Sequence, residues 1–465
     1  MSNSLLDTVY RNGPDLLSEV EILLDKGEDP NVITEYAETP LRVASNRGRF
    51  DTIKLLLSRG ADESQLAWTN IFHAIAFDSA EHLEDLISGE VDLEARDFWG
   101  RTLLLFSILV GEIEKTKLLI EAGADVNAVG RCGKTPMAYA IQKDDIEMIK
   151  FLIGQGFNTE QRDDFDYTPL IEAAEKGATK CVKLLIDAGV DVFAENHIPE
   201  QAIAVASNLD IVNALVKAGA DINDISKEMR AEMLGYSVDE APDISKEEYF
   251  KGKNRIFGKH NPELSNNTFW HAMVKSGGSG YLASSKFEED KDIFNSEPVW
   301  SFDRFGKSIT PLNDGRFVEI AGEHEDYYDP DFCIYNDVFV HNGHGECEIY
   351  IYPRDVFPPT DFHTATLIDN FIYIIGNLGY IDDRQPGFTP VYRLNIETLK
   401  IDKVETTGEM PGWISHHKAY FDGESTIRIK GGNLIVSQDG KVDYVANEND
   451  YLFNITSMIW EKLQS

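Results

Sequence analysis

Short apolar runs with helical spacing recur through the first half of the chain. VEILLDKG, IKLLLSRG, LEDLISG, KLLIEAG, IKFLIGQG, VKLLIDAG and VNALVKAG place a glycine at Gly27, Gly60, Gly89, Gly123, Gly156, Gly189 and Gly219, at intervals of 29 to 34 residues. Each run predicts a short amphipathic helix stopped by its glycine. A polar hairpin follows each glycine, and then a second helix. Thr39-Pro40, Thr135-Pro136 and Thr168-Pro169 open that helix in three units, where Thr caps and Pro suits the first turn; Thr69, Thr102 and Ile198 take the corresponding place elsewhere.

The period changes in the last third. From Arg304 onward, β-branched and aromatic runs are broken by Gly, Asn and Asp, which predicts consecutive strands. GRFVEIAGEH, NFIYIIGNLG and STIRIKGGNL place Ala321-Gly322, Gly376-Asn377 and Gly431-Gly432 at two successive intervals of 55 residues. One strand precedes each hinge (GKSITPL, HTATLID, HHKAYFD) and two follow (NDVFVHN and EIYIYP; VYRLNIET and IDKVETT; YLFNITS and MIWEKL). Between the halves, FWHAMV and GYLASSKF read as helical.

The T-P-L-x-x-A motif, the G-A-D turn and the roughly 33-residue period resemble the ankyrin repeat, with ETPLRVASNRGRFDTIKLLLSRGAD and YTPLIEAAEKGATKCVKLLIDAGVD matching throughout. The four-stranded units with a small-residue break after the second strand resemble the kelch blade of β-propellers. The resemblances imply an α plus all-β multidomain chain. An α-solenoid of about seven ankyrin repeats spans 1–225, a helical linker or cap 226–303, and a kelch-like partial β-propeller of about three four-stranded blades 304–465. Three blades do not close a ring. Either the segment before them caps the open side, or two chains pair as a homodimer through the open edge.

The 465 residues hold 80 Asp+Glu against 43 Lys+Arg, a net charge of −37, with both halves acidic. That argues against a nucleic-acid binder or a partner of anionic membranes. No apolar stretch approaches the roughly 20 residues of a membrane span. Cys132, Cys181, Cys333 and Cys347 are too few and scattered for a disulfide framework, so the expected setting is the cytoplasm. The whole most resembles bacterial ankyrin-repeat proteins with such a C-terminal segment.

An ankyrin stack implies protein recognition through hairpin tips and a concave face. Three residues before the capping Thr stand Tyr36, Trp99 and Phe165, with Cys132 in a fourth unit, and Arg101 follows Trp99 closely. These are the expected partner-binding positions, since aromatic and Arg side chains dominate interface hot spots. The acidic surface points to a basic protein partner, as in an immunity or antitoxin role or a regulatory adaptor.

Candidate chemistry is sparse. AVGRCGKT at 128–135 satisfies a loose phosphate-loop pattern, but it falls inside a repeat hairpin and lacks the preceding buried strand. His324, Asp326, Asp329, Asp331, His341 and His344 cluster in a turn-rich region without the register of a calcium loop or zinc helix. His363, His416 and His417 begin the inner strands of the second and third blades, with Arg354 and Asp361 nearby. They are the candidate small-molecule or metal site at the propeller mouth, or hydrogen-bonded core histidines. No nucleophile or paired carboxylate accompanies them, so the expected protein is not an enzyme and needs no cofactor.

Overall fold

The computed structural model describes residues 4–287, 298–324, 332–438 and 441–463. The chain divides into two compact units, 1–226 and 227–465.

In the first unit, six antiparallel helix pairs follow one another. They begin with Ser4–Arg11 and Leu16–Asp25, continue through Pro40–Asn46 and Phe50–Ser58, and end with Pro169–Glu175 and Thr179–Asp187. Four of the five threonines at this place cap as the sequence requires: Thr39, Thr102, Thr135 and Thr168 each accept from the backbone N–H three residues on, at 3.2, 3.4, 3.2 and 3.3 Å, while Thr69 opens its helix without a side-chain cap bond. Each such cap is worth about 1 kcal/mol. The seventh unit keeps only Leu209–Lys217. Its first helix, expected after Ile198, is replaced by turns, although Asn196 Oδ1 takes the N–H groups of Ile198 and Glu200 at 3.0 Å each, the tip bonds that Asp163 makes ahead of an intact helix.

The core of this unit is the apolar stripe shared between pairs. Phe106 stands at its centre in the fourth repeat, with Phe50 at 5.4 Å, Trp68 at 5.0 Å and Phe72 at 5.2 Å from ring to ring. Such edge-to-face contacts add about 0.5–1.5 kcal/mol beyond area burial.

The second unit is β-rich, with several antiparallel sheets and helices covering one of them. In the first sheet the order is Glu263–Ser265, Cys347–Ile351, Val338–His341, Phe317–Ile320, Ser308–Pro311. The second runs Ile401–Lys403, Val391–Asn395, Phe371–Ile375, Thr364–Ile368. In the third, Thr407–Gly408 lies parallel to Ile459–Lys462, followed by Tyr451–Asn454, Thr426–Lys430 and Lys418–Phe421. The strands expected in each four-stranded unit therefore pair as three meanders, and no closed barrel forms among the described residues. An element absent from the sequence reading is the hairpin Asn433–Gln438 and Lys441–Ala446, which pairs with Trp413–Ser415 as a separate sheet.

Residues 227–287 and 298–303 share the first sheet's core. Helices Lys246–Gly252, Thr268–Ser276 and Gly280–Lys286 bring Tyr249, Phe269, Trp270 and Ala283 against Phe339, Ile349 and Ile351. Trp270 and Trp300 stack at 4.7 Å with their planes 6° apart. Both faces of the first sheet are thus occupied, by helices on one side and the second sheet on the other. The third sheet buries Ile427, Ile429, Tyr451, Phe453 and Trp460 against the second, while Tyr420, Arg428, Lys430 and Glu461 are exposed. Among the described residues that outer face is mainly polar, with Tyr420 and Ile459 its exposed large apolar side chains.

Candidate interaction surfaces

The predicted tip residues of the first unit have different fates. Tyr36 is 78% exposed and Phe165 is 48% exposed. Trp99 is half-buried, because its indole N–H donates to the Arg42 carbonyl at 2.9 Å, two repeats back. Phe98 beside it carries the Arg42 guanidinium 3.8 Å above its ring. Cys132 is exposed in its hairpin.

Arg101 is not a surface residue. Its side chain is buried and donates to both oxygens of Ser45, the carbonyl at 2.8 Å and the hydroxyl at 2.6 Å, while Nε reaches Asp97 Oδ2 at 2.8 Å. Ser45 lies in the last turn of helix Pro40–Asn46, whose free carbonyls need donors. Gln142 Nε2 reaches the Asn46 carbonyl at 2.6 Å and Lys143 Nζ the Gly48 carbonyl at 2.9 Å. The second repeat's helix end is therefore capped by side chains from the fourth and fifth repeats, and cations there also meet the negative end of the helix dipole.

The exposed aromatic tip lies farther along. His197 holds the Phe165 carbonyl with its backbone N–H at 3.2 Å and with Nδ1 at 2.9 Å, and the two rings are 5.9 Å apart. Ile198 beside it is exposed. Asp163 Oδ1 accepts from the N–H groups of Phe165 and Tyr167, both at 2.9 Å, and fixes the tip. Asp164, Asp166 and Glu195 are exposed on these two tips, and the exposed Arg162 joins them by donating to the Asp166 carbonyl at 2.8 Å and the Glu195 carbonyl at 2.5 Å. The phosphate-loop lookalike is an ordinary hairpin: Gly130 N–H donates to the Lys134 carbonyl at 2.9 Å, and Thr135 caps the next helix.

In the second unit the three candidate histidines separate. His363 Nε2 meets Ser308 Oγ at 2.8 Å and His417 Nε2 meets Thr364 Oγ1 at 2.9 Å, so each ties the first strand of one sheet to the start of the next. Both rings are buried, and burial pushes each imidazole down to about 3, with the other histidines adding to the effect at His417. They are neutral at ordinary pH. His417 packs on Gly376: a Cβ added there would sit 2.6 Å from its Cε1 and 3.3 Å from its Nδ1. His416 is instead exposed and stacks on Phe362 at 3.9 Å. Asp361 Oδ1 accepts from the Gly379 N–H at 2.6 Å, and burial raises its carboxyl. Arg354 pairs with Asp383 at 2.9 Å on the surface.

The candidate metal residues also disperse. His324 Nδ1 meets the Asp303 carbonyl at 3.2 Å, and His344 is exposed. Asp326, Asp329 and Asp331 lie outside the described residues. No group of three or more His, Cys, Asp or Glu suited to a metal ion occurs among the described residues. His341 belongs to a buried charge cluster that sequence reading missed. Glu319, fully buried in the first sheet, takes His341 Nε2 at 2.9 Å, Lys307 Nζ at 3.1 Å and an Arg230 Nη1 at 3.4 Å. Burial alone raises the Glu319 carboxyl, but Lys307, His341 and Arg230 outweigh it and hold it well below the usual range. Burial pushes Lys307 down to about 8. Cys347 Sγ lies 3.9 Å from His341 Nε2, yet burial drives its thiol far up, away from thiolate chemistry.

The family models that match this chain fall within the first unit. The family model of ankyrin repeats in three copies matches residues 71–163 and 142–226, and the single ankyrin repeat matches 37–66. The first unit is built of ankyrin repeats, a repeat class that mediates protein–protein interaction. A transient receptor potential cation channel subfamily A member 1 homolog from Caenorhabditis elegans is 35% identical over 104 residues, which cover 22% of this chain and 8% of the channel. The chain thus spans under a tenth of that relative's length. The crystal structure of the ankyrin repeat domain of Bcl-3, described as a unique member of the IkappaB protein family, is 24% identical. It covers 46% of this chain and 98% of its own, at a TM-score of 0.31. No described helix is long and apolar enough to cross a membrane.

Proposed function

We propose that this chain is a non-enzymatic protein-interaction scaffold whose ankyrin unit grips a basic protein at the tips of its sixth and seventh repeats. The observation that carries this reading is the Phe165 side chain, half-exposed on a tip pinned by Asp163 and His197, with Ile198 beside it and Asp164, Asp166 and Glu195 around it. An apolar anchor on tips whose exposed carboxylates outnumber the one Arg162 suits an apolar side chain flanked by Lys or Arg. Tyr36 is a second anchor at the other end of the row. Trp99 and Arg101 act from within, setting the curvature that presents the tips.

The second unit is an open, kelch-like fan of three blades, finished by helices at one end and a polar sheet face at the other. It supports a monomeric chain. The engagement of His363 and His417 as ties between sheets supports a structural role for them over a ligand site. A cytoplasmic adaptor, or an immunity-type protein masking a cationic toxin in a bacterium, fits these features.

The test is capture from native lysate with the full chain and with Phe165→Ala, at low and moderate salt. A basic protein retained by the first, lost by the second and weakened by salt is the expected result. Equal retention by both chains rules out the Phe165 tip.

A further inference from the structure

Three arginines from separate segments of the first unit gather around one pair of rings. Phe98 and Trp99 meet edge to face at 5.3 Å in the hairpin of the fourth repeat. The Arg42 guanidinium lies 3.8 Å above Phe98, and that of Arg131, from the next hairpin, lies 5.8 Å from Phe98 and 5.5 Å from Trp99. Arg96 joins the same two hairpins, its Nη1 donating to the Gly100 carbonyl at 2.5 Å and to the Val129 carbonyl at 2.7 Å. Gly100 in turn is packed close to Arg131, where an added Cβ would come within 3.7 Å of the backbone N.

What holds these side chains leaves their charge standing. Arg42 spends Nε on the Gln65 carbonyl at 2.8 Å and Nη1 on the Ala37 carbonyl at 2.6 Å. Carbonyls and ring faces fix a guanidinium in place without neutralising it. Among the described residues no carboxylate lies within ion-pair distance of Arg42, Arg96 or Arg131. Asp97, beside Phe98, is committed to Arg101, Glu94 Oε1 accepts from the Asp125 N–H at 2.9 Å, and Asp164 lies against Gly133 without an ion pair. Arg131 is exposed and its guanidinium has no hydrogen-bond acceptor among the described residues; the Nη2 groups of Arg42 and Arg96 have none either.

In a chain of net charge −37 this is a local excess of positive charge. An extended polyanion does not suit it, since nucleic acid or an anionic membrane would meet the acidic remainder of the surface. A single carboxylate does not use it, because one guanidinium fork is enough for two oxygens. A phosphomonoester carries nearly two charges and three acceptor oxygens, which matches the unspent groups of three arginines.

We propose that the rim formed by Arg42, Arg96 and Arg131 binds a phosphorylated side chain of a partner protein. Arg131 brings its free fork to the phosphate, and Arg42 and Arg96 offer Nη2 from positions fixed by carbonyls. The rim is open, so the rest of the partner chain has room to pass over it. This site lies on other hairpins than the Phe165 tip and stands or falls independently of it.

The probe is a short peptide with one central phosphoserine between uncharged residues, followed by phosphorus NMR as the full chain is added. A saturable shift is expected, with affinity lowered roughly tenfold by Arg131→Ala. That variant is expected to melt with the natural chain, since the guanidinium it removes bonds to no other group. Arg131→Lys keeps the charge but loses the fork, and is expected to restore only part of the affinity. Arg162→Ala removes the arginine that bridges the sixth and seventh tips as Arg96 bridges its own, and is expected to change nothing. No saturation at millimolar chain, binding indifferent to Arg131→Ala, or equal binding by the peptide with Asp in place of phosphoserine overturns the proposal. Inorganic phosphate binding as tightly as the peptide also overturns it, by assigning the rim to a free anion.

Discussion

The Trp99 indole donates to the Arg42 carbonyl at 2.9 Å across 57 residues of chain, joining the hairpin of the fourth repeat to a helix of the second. Arg101 makes the same reach to Ser45, and Gln142 and Lys143 reach farther still. Repeat stacks are held mainly by contacts between neighbours. Here the second to fifth repeats are tied beyond their neighbours, so they are expected to unfold together.

Breaking the Arg101 clamp strands the buried Asp97 carboxylate. Arg101→Ala is therefore expected to cost about 3–5 kcal/mol, as for other disrupted buried ion pairs. Urea denaturation followed by circular dichroism measures it. A loss under 1 kcal/mol would mean that Asp97 finds water or another donor.

Phe165→Ala removes an exposed ring whose backbone is already held by Asp163. Its cost in stability is expected within about 0.5 kcal/mol, the usual range for surface substitutions. Combined with loss of the captured partner, that separates binding from folding. A large drop in melting temperature would instead assign Phe165 to packing.

His363 and His417 predict acid sensitivity. Each takes a proton near 6.5 when unfolded but only at about 3 in the folded chain. The unfolded state then binds more protons, so stability is full above 6.5 and falls as pH drops toward 3. The slope is roughly 1.4 kcal/mol per pH unit for each histidine well below 6.5. Denaturation midpoints between pH 7 and 5 should fall for the natural chain and stay flatter in a His363→Asn, His417→Asn double variant. Parallel profiles would remove the histidines as the cause.

Glu319→Gln leaves Lys307 buried beside a neutral amide. The expected cost is about 3 kcal/mol, with the Lys307 ammonium more easily deprotonated. The folded Glu319 carboxyl is depressed, so its contribution exists above the usual carboxylate value and vanishes as pH falls through the depressed one. The variant's deficit should accordingly be largest near neutrality and shrink in strong acid. A deficit unchanged down to pH 2 would show that charge is not what the cluster contributes.

Much of the fold was legible because its signals are local. Thr135 and Pro136 open a helix whatever surrounds them, and the 55-residue recurrence of Gly322, Asn377 and Gly432 marks the same hinge in each four-stranded unit. A Cβ at Gly322 would come within 2.8 Å of the Phe305 carbonyl, and at Gly432 within 2.5 Å of that of Ser415, which explains the small residues there. The strand pair Asn433–Gln438 and Lys441–Ala446 escaped because it interrupts the third unit after the hinge, where the first unit has only the short pair Glu323–His324 and Cys333–Ile334 and the second has no strand among the described residues.

The candidate sites were legible only as residue types. Glu38, Arg101, Lys134 and Tyr167 occupy one position of the repeat, immediately before the capping Thr, and nothing in that neighbourhood marks Arg101 as the buried one. Its burial depends on Ser45, 56 residues away. Likewise His363 and His416 read alike, yet one is bonded to Ser308 between sheets and the other lies open on Phe362. By itself the sequence determined the six complete helix pairs and the strands and hinges of the 55-residue units, since capping, glycine conformations and hydrophobic period act within a few residues. Only the tertiary structure decided which charges are buried, which histidines are neutral and which aromatic rings face solvent, because those properties are set by groups far apart in the chain.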